Sequence, residues 1–86
     1  MYVNINTLCL GYYLGMTLGD NIKTLRKQNG ISQKQFADKM NTTQQRVSEW
    51  ECNKVEPSLF NVARMLVVLN ASFDELVEGV DDSKYK

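Results

Sequence analysis

The sequence contains no histidine and no Gly-rich phosphate-binding loop of the GxxxxGK[ST] type. Without histidine, zinc fingers, His-containing catalytic triads and Cys–His pairs are excluded. The two cysteines, Cys9 and Cys52, show neither CxxC spacing nor a disulfide framework. We therefore expect both to be reduced thiols in a cytosolic protein. These absences leave little for catalysis, and we predict no enzyme activity, no metal, no cofactor and no small-molecule substrate.

A hydrophobic run long enough to span a membrane is also absent. Residues 1–16 are apolar and uncharged, but asparagine and glycine interrupt them, whereas a spanning helix needs about 20 apolar residues. The first positive charge is Lys23, so the segment lacks the basic start of a signal peptide. Val3, Ile5 and Thr7 alternate with asparagines, which is a weak strand pattern. We interpret residues 1–16 as either an extension upstream of the usual start or an arm that pairs with a partner.

The chain length and the charge distribution limit the class of protein. With 86 residues, the chain is long enough for one small domain but not for two hydrophobic cores. Residues 17–54 carry seven Lys/Arg against four Asp/Glu, a net charge of +3, and residues 55–83 carry one Arg against six acids, a net charge of −5. The basic excess in the first range is a weak indication of a nucleic-acid partner.

Helix starts are marked by capping boxes, in which a Ser or Thr and an acid or Gln three residues later satisfy each other's backbone amides. The pattern occurs as Thr17…Asp20, Ser32…Gln35, Thr42…Gln45 and Ser72…Glu75. Gly30 is suited to end the first helix, and Ser58 follows Pro57 as a further cap. We predict an all-α domain over residues 17–80, preceded by the arm 1–16 and followed by a polar tail, 81–86. Its five helices are expected near 18–29, 33–40, 43–52, 59–69 and 73–78.

Apolar residues at helical spacing predict one compact core. The inward positions are Ile22, Leu25, Phe36, Ala37, Met40, Val47, Trp50, Leu59, Val62, Ala63, Leu66, Leu69, Leu76 and Val77. Beyond its inward row, the fourth helix carries Phe60, Met65, Val67 and Val68, which is more apolar surface than a single small domain needs. This surplus predicts a homodimer through the fourth helix, the C-terminal end or the N-terminal arm, or else an error in the helical wheel.

The second and third predicted helices are separated by only Asn41 and Thr42. Such a sharp turn needs a residue in the left-handed conformation, which asparagine tolerates. Ala37 is small where the next helix must cross, and Val47 and Trp50 would face inward. This is the helix-turn-helix pattern.

The segment "ISQKQFADKMNTTQQRVSEWECNKVEPS" and the closing "LNASFDELVEG" resemble the lambdoid phage repressors, the Cro proteins and the wider Xre-type bacterial regulators. The likeness runs from about Leu18 to Gly79, and one branch of lambdoid repressors begins its recognition helix with the same Thr-Thr-Gln-Gln. The resemblance implies a compact five-helix repressor-like domain in which helices 2 and 3 form the helix-turn-helix.

Roles for several side chains follow from the resemblance. It implies that Gln33 anchors to a phosphate and braces the neighbouring glutamine, and that Gln44 and Gln45 meet base edges. Arg26 and Glu51 match a structural ion pair between the first helix and the recognition helix. Thr43 matches a residue that touches the DNA backbone or a thymine methyl group.

Two departures from the family pattern stand out. Asn41 and Asn53 occupy positions where family members usually have glycine, and asparagine is the best other residue for left-handed geometry. Glu49 stands where the nearest lambdoid relatives carry a neutral amide that reads a base. A carboxylate can accept a hydrogen bond from cytosine N4 but repels phosphates, so the preferred DNA sequence must differ.

Helical geometry also favours a reading role for the glutamines. If Val47 and Trp50 face inward, Gln45, Glu49 and Cys52 point outward, and a glutamine amide matches adenine N6 and N7. The alternative is that Gln45 only completes a capping box. The predicted base contacts are Thr43, Gln44, Gln45, Ser48 and Glu49. The predicted phosphate contacts are Gln33, Lys34, Thr42, Arg46 and Lys54, although Lys34, Arg46 and Lys54 could equally be solvated surface.

The sequence therefore predicts a cytoplasmic, nucleoid-associated regulator that binds double-stranded DNA sequence-specifically. We expect a repressor that occupies an inverted-repeat operator as a homodimer, since one helix reads too few base pairs. The alternative is an antitoxin-type or adaptor module whose main partner is another protein, such as a toxin.

Overall fold

The computed structural model describes residues 17–80, which form five α-helices. They are α1 (Leu18–Gln28), α2 (Gln33–Met40), α3 (Gln44–Glu51), α4 (Leu59–Val68) and α5 (Phe73–Val77). The all-α class and the number of helices are confirmed, and the bounds differ from the predicted ones by a residue or so. The predictions for the arm 1–16 and the tail 81–86 lie outside the described residues.

Three of the four predicted capping boxes are present, at the starts of α1, α2 and α5. The predicted box Thr42…Gln45 is wrong, because Thr43 is the N-cap of α3 and its Oγ1 accepts from the Arg46 amide at 3.1 Å. The Thr42 amide instead donates to the Ala37 carbonyl at 2.9 Å, across the end of α2. Thr42 therefore still belongs to the C-terminal turn of α2 and cannot begin α3.

The turn between α2 and α3 is a Schellman motif built on Asn41. Asn41 has φ 58° and ψ 46°, and its amide donates to the Asp38 carbonyl at 3.2 Å. The predicted left-handed residue is thus confirmed. Asn53 has φ 62°, so asparagine also provides left-handed geometry at the second position where the family usually has glycine.

The helices pack around one core of ten buried residues within the described range. These are Ile22, Leu25, Phe36, Ala37, Met40, Val47, Trp50, Met65, Leu69 and Leu76. The prediction for α4 was partly wrong. Leu59 and Ala63 are exposed, whereas Met65 is completely buried. Burial follows Val62, Met65, Leu66 and Leu69, so the inward face of α4 is rotated relative to the predicted one.

Cys52 also differs from expectation. It was expected to face outward, but it is 6% exposed, so that expectation is wrong. Cys52 is the C-cap of α3, and its amide donates to the Ser48 carbonyl at 2.9 Å. A helical wheel gives the direction of a side chain but not whether another part of the chain covers it.

Side-chain amides join the ends of the helices. Asn21, buried in α1, donates from Nδ2 to the carbonyls of Leu76 and Glu78 at 2.7 and 2.9 Å, which fixes α5 against α1. α1 also packs against α3, and α2 packs against both α3 and α4. In residues 17–80 no helix is long and apolar enough to cross a bilayer. The same range holds no cluster of three or more potential metal-ligating residues.

Candidate nucleic-acid interface

The polar face of α3 is the candidate recognition surface. Val47 and Trp50 are buried and hold one face of the helix against the core. Gln44, Gln45 and Arg46, in its first turn, are exposed. The helix therefore presents its N-terminal side chains to solvent, and its N-terminus carries a partial positive charge.

Gln45 is not committed to helix capping. α3 begins with the Thr43 hydroxyl on the Arg46 amide, and no reciprocal bond from the third helical position completes a box there. The alternative interpretation of Gln45 as a capping-box residue therefore falls. An exposed amide that is not needed to start its own helix remains available to an external partner.

A buried ion pair ties α3 to α1. Arg26 Nε donates to Glu51 Oε2 at 2.6 Å and its Nη2 donates to Oε1 at 3.2 Å. The two side chains are only 8% and 1% exposed, and Arg26 Nη1 donates to the Ile31 carbonyl at 2.9 Å. This is the ion pair implied by the resemblance. It is bidentate and fully hydrogen-bonded, which is what a buried charge requires to be tolerated.

Gln33 extends this network to the protein surface. Its Nε2 donates to Glu51 Oε1 at 3.0 Å, and its Oε1 accepts from Gln44 Nε2 at 3.4 Å. A continuous chain of hydrogen bonds thus runs from Arg26 in the interior to the first residue of α3. The bracing of one glutamine by another matches the role that the resemblance implies for Gln33. The outer bond is long for a hydrogen bond and is solvent-exposed, so it orients Gln44 only weakly.

The other predicted contact residues lie around α3. Thr43 and Lys54, on either side of the helix, are exposed. Ser48 is half-buried on the flank of the helix, and Thr42 is half-buried in the preceding turn. All of the predicted contact residues therefore retain some accessible surface, although Thr42 lies in the turn and not at the start of α3.

Two exposed ion pairs accompany these residues. Arg46 Nε lies 3.6 Å from Glu49 Oε1 within α3, and Lys34 Nζ lies 3.8 Å from Asp38 Oδ2 within α2. Lys34 and Asp38 are both well exposed, whereas Glu49 is half-buried. Surface pairs of this kind are weak, typically about 0–1 kcal/mol. Their charges remain available to other partners.

Sequence reasoning missed the contact that holds the end of α3 against the start of α1. Asn53 Oδ1 accepts from the Gly19 amide at 2.9 Å, and its Nδ2 donates to Thr17 Oγ1 at 2.9 Å. The sequence showed asparagine at position 53 where the family usually has glycine, but this predicted only the left-handed conformation of the backbone there. The Asn53 side chain in fact supplies part of the N-terminal cap of α1.

α2 and α3 are joined by a tight turn that contains one residue in the left-handed conformation. One face of α3 is buried against the core, and its opposite face is polar. This arrangement defines a helix-turn-helix domain. A family model described as helix-turn-helix matches residues 22–76. The chain belongs to this family, and the predicted likeness to Xre-type and Cro-like regulators is confirmed.

Two relatives from Bacillus subtilis (strain 168) are similar to this chain. The SPbeta prophage-derived uncharacterized HTH-type transcriptional regulator YonR is 33% identical over 61 residues, covering 71% of this chain and 56% of the relative. The uncharacterized HTH-type transcriptional regulator YqaE is 29% identical over 65 residues, covering 76% of this chain and 56% of the relative. The chain thus spans little more than half the length of either relative.

Proposed function

We propose that this protein is a sequence-specific regulator of transcription that binds double-stranded DNA and reads the major groove with α3. It acts in the cytoplasm, on the nucleoid, as a repressor that occupies an operator and blocks polymerase. The observation that carries the proposal is the exposed pair Gln44 and Gln45 at the start of a helix whose opposite face is fixed by Val47 and Trp50. Membership of the helix-turn-helix family and the printed names of the two relatives support it.

The chemistry of the exposed face suits base recognition. A glutamine amide donates to adenine N7 and accepts from N6, and a good bidentate contact discriminates between bases by about 1–3 kcal/mol. Lys34 and Lys54 supply positive charge around the helix for phosphates. Gln33 and Thr42 lie at the start of α2 and in the turn, where polar groups position the protein on the DNA backbone without reading sequence.

A homodimer on an inverted repeat follows from the number of base pairs that one helix can reach. The exposed surface of α4 supports this part of the proposal. Leu59, Phe60 and Val67 are 82%, 71% and 80% exposed, and Phe73 in α5 is exposed as well. An isolated domain gains nothing from leaving such side chains in water, so we propose that a second copy covers them.

Selection of bound sites from random duplex DNA tests the DNA-binding proposal. The wild-type protein should enrich one sequence, and replacing Gln44 and Gln45 together by Ala should remove that preference while leaving weak, salt-sensitive binding. The exposed Gln28 in α1 provides a matched control, and Gln28→Ala should keep the wild-type preference. An unchanged preference in the double variant contradicts the assignment of α3 as the reading helix.

The same exposed α4 face also favours the second candidate, an antitoxin-type or adaptor module with another protein as its main partner. Sedimentation of the purified chain distinguishes the two. A dimer that becomes monomeric in Phe60→Glu, but not in the exposed α1 control Thr24→Glu, supports self-association. A monomer that enters a mixed complex with a neighbouring gene product supports the second candidate instead.

A further inference from the structure

Base reading by Gln44 and Gln45 does not account for one charged pair on α3. Arg46 Nε and Glu49 Oε1 are 3.6 Å apart, and the two side chains are 50% and 29% exposed. Glu49 lies towards the outer side of α3, and Arg46 lies on the flank of the helix next to it. The pair places two opposite charges beside the neutral amides of Gln44 and Gln45, so it can meet bases that those amides do not match.

The position of Glu49 along the helix relates it to a particular part of the DNA site. Gln45 and Glu49 are four residues apart and therefore share one face, separated by one turn of about 5.4 Å. Successive base pairs are separated by about 3.4 Å along the duplex. The Glu49 carboxylate consequently falls one or two base pairs beyond the pair that Gln45 meets.

We propose that Arg46 and Glu49 together read a single C·G base pair next to the pairs read by the glutamines. Glu49 accepts a hydrogen bond from cytosine N4, and Arg46 donates to guanine O6 and N7. This inference rests on the proposed function, because it assumes that α3 occupies the major groove.

The donors and acceptors of the two side chains select this base pair. A carboxylate only accepts hydrogen bonds, so it requires the amino group of cytosine or adenine and is repelled by adenine N7. The guanidinium fork matches two adjacent acceptors, which guanine presents and thymine does not. Because cytosine and guanine are partners in one base pair, two side chains already 3.6 Å apart can reach both.

The electrostatics of the pair favour its entry into the groove. An isolated carboxylate at this position would be repelled by the phosphates, whereas Arg46 beside it cancels its charge. The pair is partly hydrated and held by a single contact of 3.6 Å, so its members separate easily to meet different bases. A tightly closed pair would be unable to do so.

Glu49→Gln provides the decisive variant, since it keeps the size of the side chain and changes its preferred base from cytosine to adenine. Sites are first selected from random duplexes with wild-type protein, and binding is then measured on synthetic duplexes that differ at one base pair. We expect the sites selected by the wild-type protein to carry C·G at one position just beyond the base pairs that contact Gln44 and Gln45. In Glu49→Gln the ratio of affinities for C·G and A·T at that position should fall by about ten- to hundredfold.

Arg46→Lys, which keeps the positive charge but loses the two parallel donors of the guanidinium group, should weaken the preference for guanine at the same position.

The matched control is Asp38→Asn, which removes one carboxylate from the other exposed helical ion pair, Lys34–Asp38. It should change overall affinity only through charge and leave every base preference intact. If wild-type protein selects a defined site but Glu49→Gln alters no single position, the inference is overturned and the proposed function stands. If wild-type protein selects no site at all, both are overturned. Thermal melting of each variant establishes that it is folded.

Discussion

Gly19 lies directly against the carbonyl of Glu51, where the start of α1 meets the end of the recognition helix. A Cβ at Gly19 would overlap that oxygen and would lie 2.6 Å from the Trp50 carbonyl oxygen. Both are backbone atoms, so the contact cannot be relieved by a rotamer change. The close approach brings Asn53 within hydrogen-bond distance of the α1 N-terminus.

Gly19→Ala should therefore destabilise the domain, because α1 and α3 must move apart to admit the methyl group. Overpacking of this kind typically costs about 1–3 kcal/mol. Urea unfolding measures the loss, and Thr24→Ala at an exposed position of the same helix is the control, expected to be neutral or slightly stabilising. An equal or higher midpoint for Gly19→Ala would mean that the helices are not in contact there.

The buried pair Arg26–Glu51 should be costly to break from one side only. Arg26→Ala or Glu51→Ala leaves an unpaired charge in the interior, and such single changes typically cost about 3–5 kcal/mol. The exposed pair provides the comparison, since Lys34→Ala should cost less than about 1 kcal/mol. Unfolding free energies measured without DNA provide the test. A similar loss in the buried and exposed variants would contradict the burial of the pair.

Asn53 has a backbone role and a side-chain role, and two substitutions separate them. Asn53→Gly keeps the left-handed geometry but removes two hydrogen bonds, each contributing about 1 kcal/mol. Asn53→Ala also strains the backbone, so it should be the less stable of the two. At Asn41, replacement by Gly should leave stability unchanged or slightly raised. If Asn53→Gly were also as stable as wild type, its side chain would contribute nothing to the α1 cap.

The two adjacent threonines before α3 should differ in their contribution to stability. Thr43 supplies the N-cap through its hydroxyl, so Thr43→Ala should cost about 1 kcal/mol. Thr42 contributes its backbone amide to the turn, and Thr42→Ala should have little effect. Thermal melting in the absence of DNA measures helix capping separately from any role in binding. Equal losses at both positions would indicate that the cap is shared.

These elements also show what sequence alone can and cannot establish. The caps at Thr17, Ser32 and Ser72 and the left-handed Asn41 depend on neighbouring residues, and local chemistry was sufficient to predict them. The choice between Thr42 and Thr43 was not predictable from the capping pattern, because both are good caps. It is decided by the Thr42 amide, which closes the preceding helix.

The errors in α4 and at Asn53 have a different physical cause. α4 is apolar on most sides, so its helical wheel does not identify a unique inward face, and tertiary packing selects Met65 over Ala63. The Asn53 contacts join residues 34 and 36 positions apart. No local pattern predicts such a contact. The Arg26–Glu51 pair is also distant in sequence, and it was anticipated only through family resemblance.

The chain of hydrogen bonds from Arg26 through Glu51 and Gln33 ends at Gln44 and does not include Gln45. The two neighbouring glutamines are therefore unequal in how freely they can be exchanged. A new residue at position 44 would lose its exposed bond to Gln33, so a change of target sequence at that point also changes the surroundings of the Gln33 amide. Gln45 is not part of this chain of hydrogen bonds. New operator preferences should therefore arise at position 45 first, both in laboratory selection and in natural divergence.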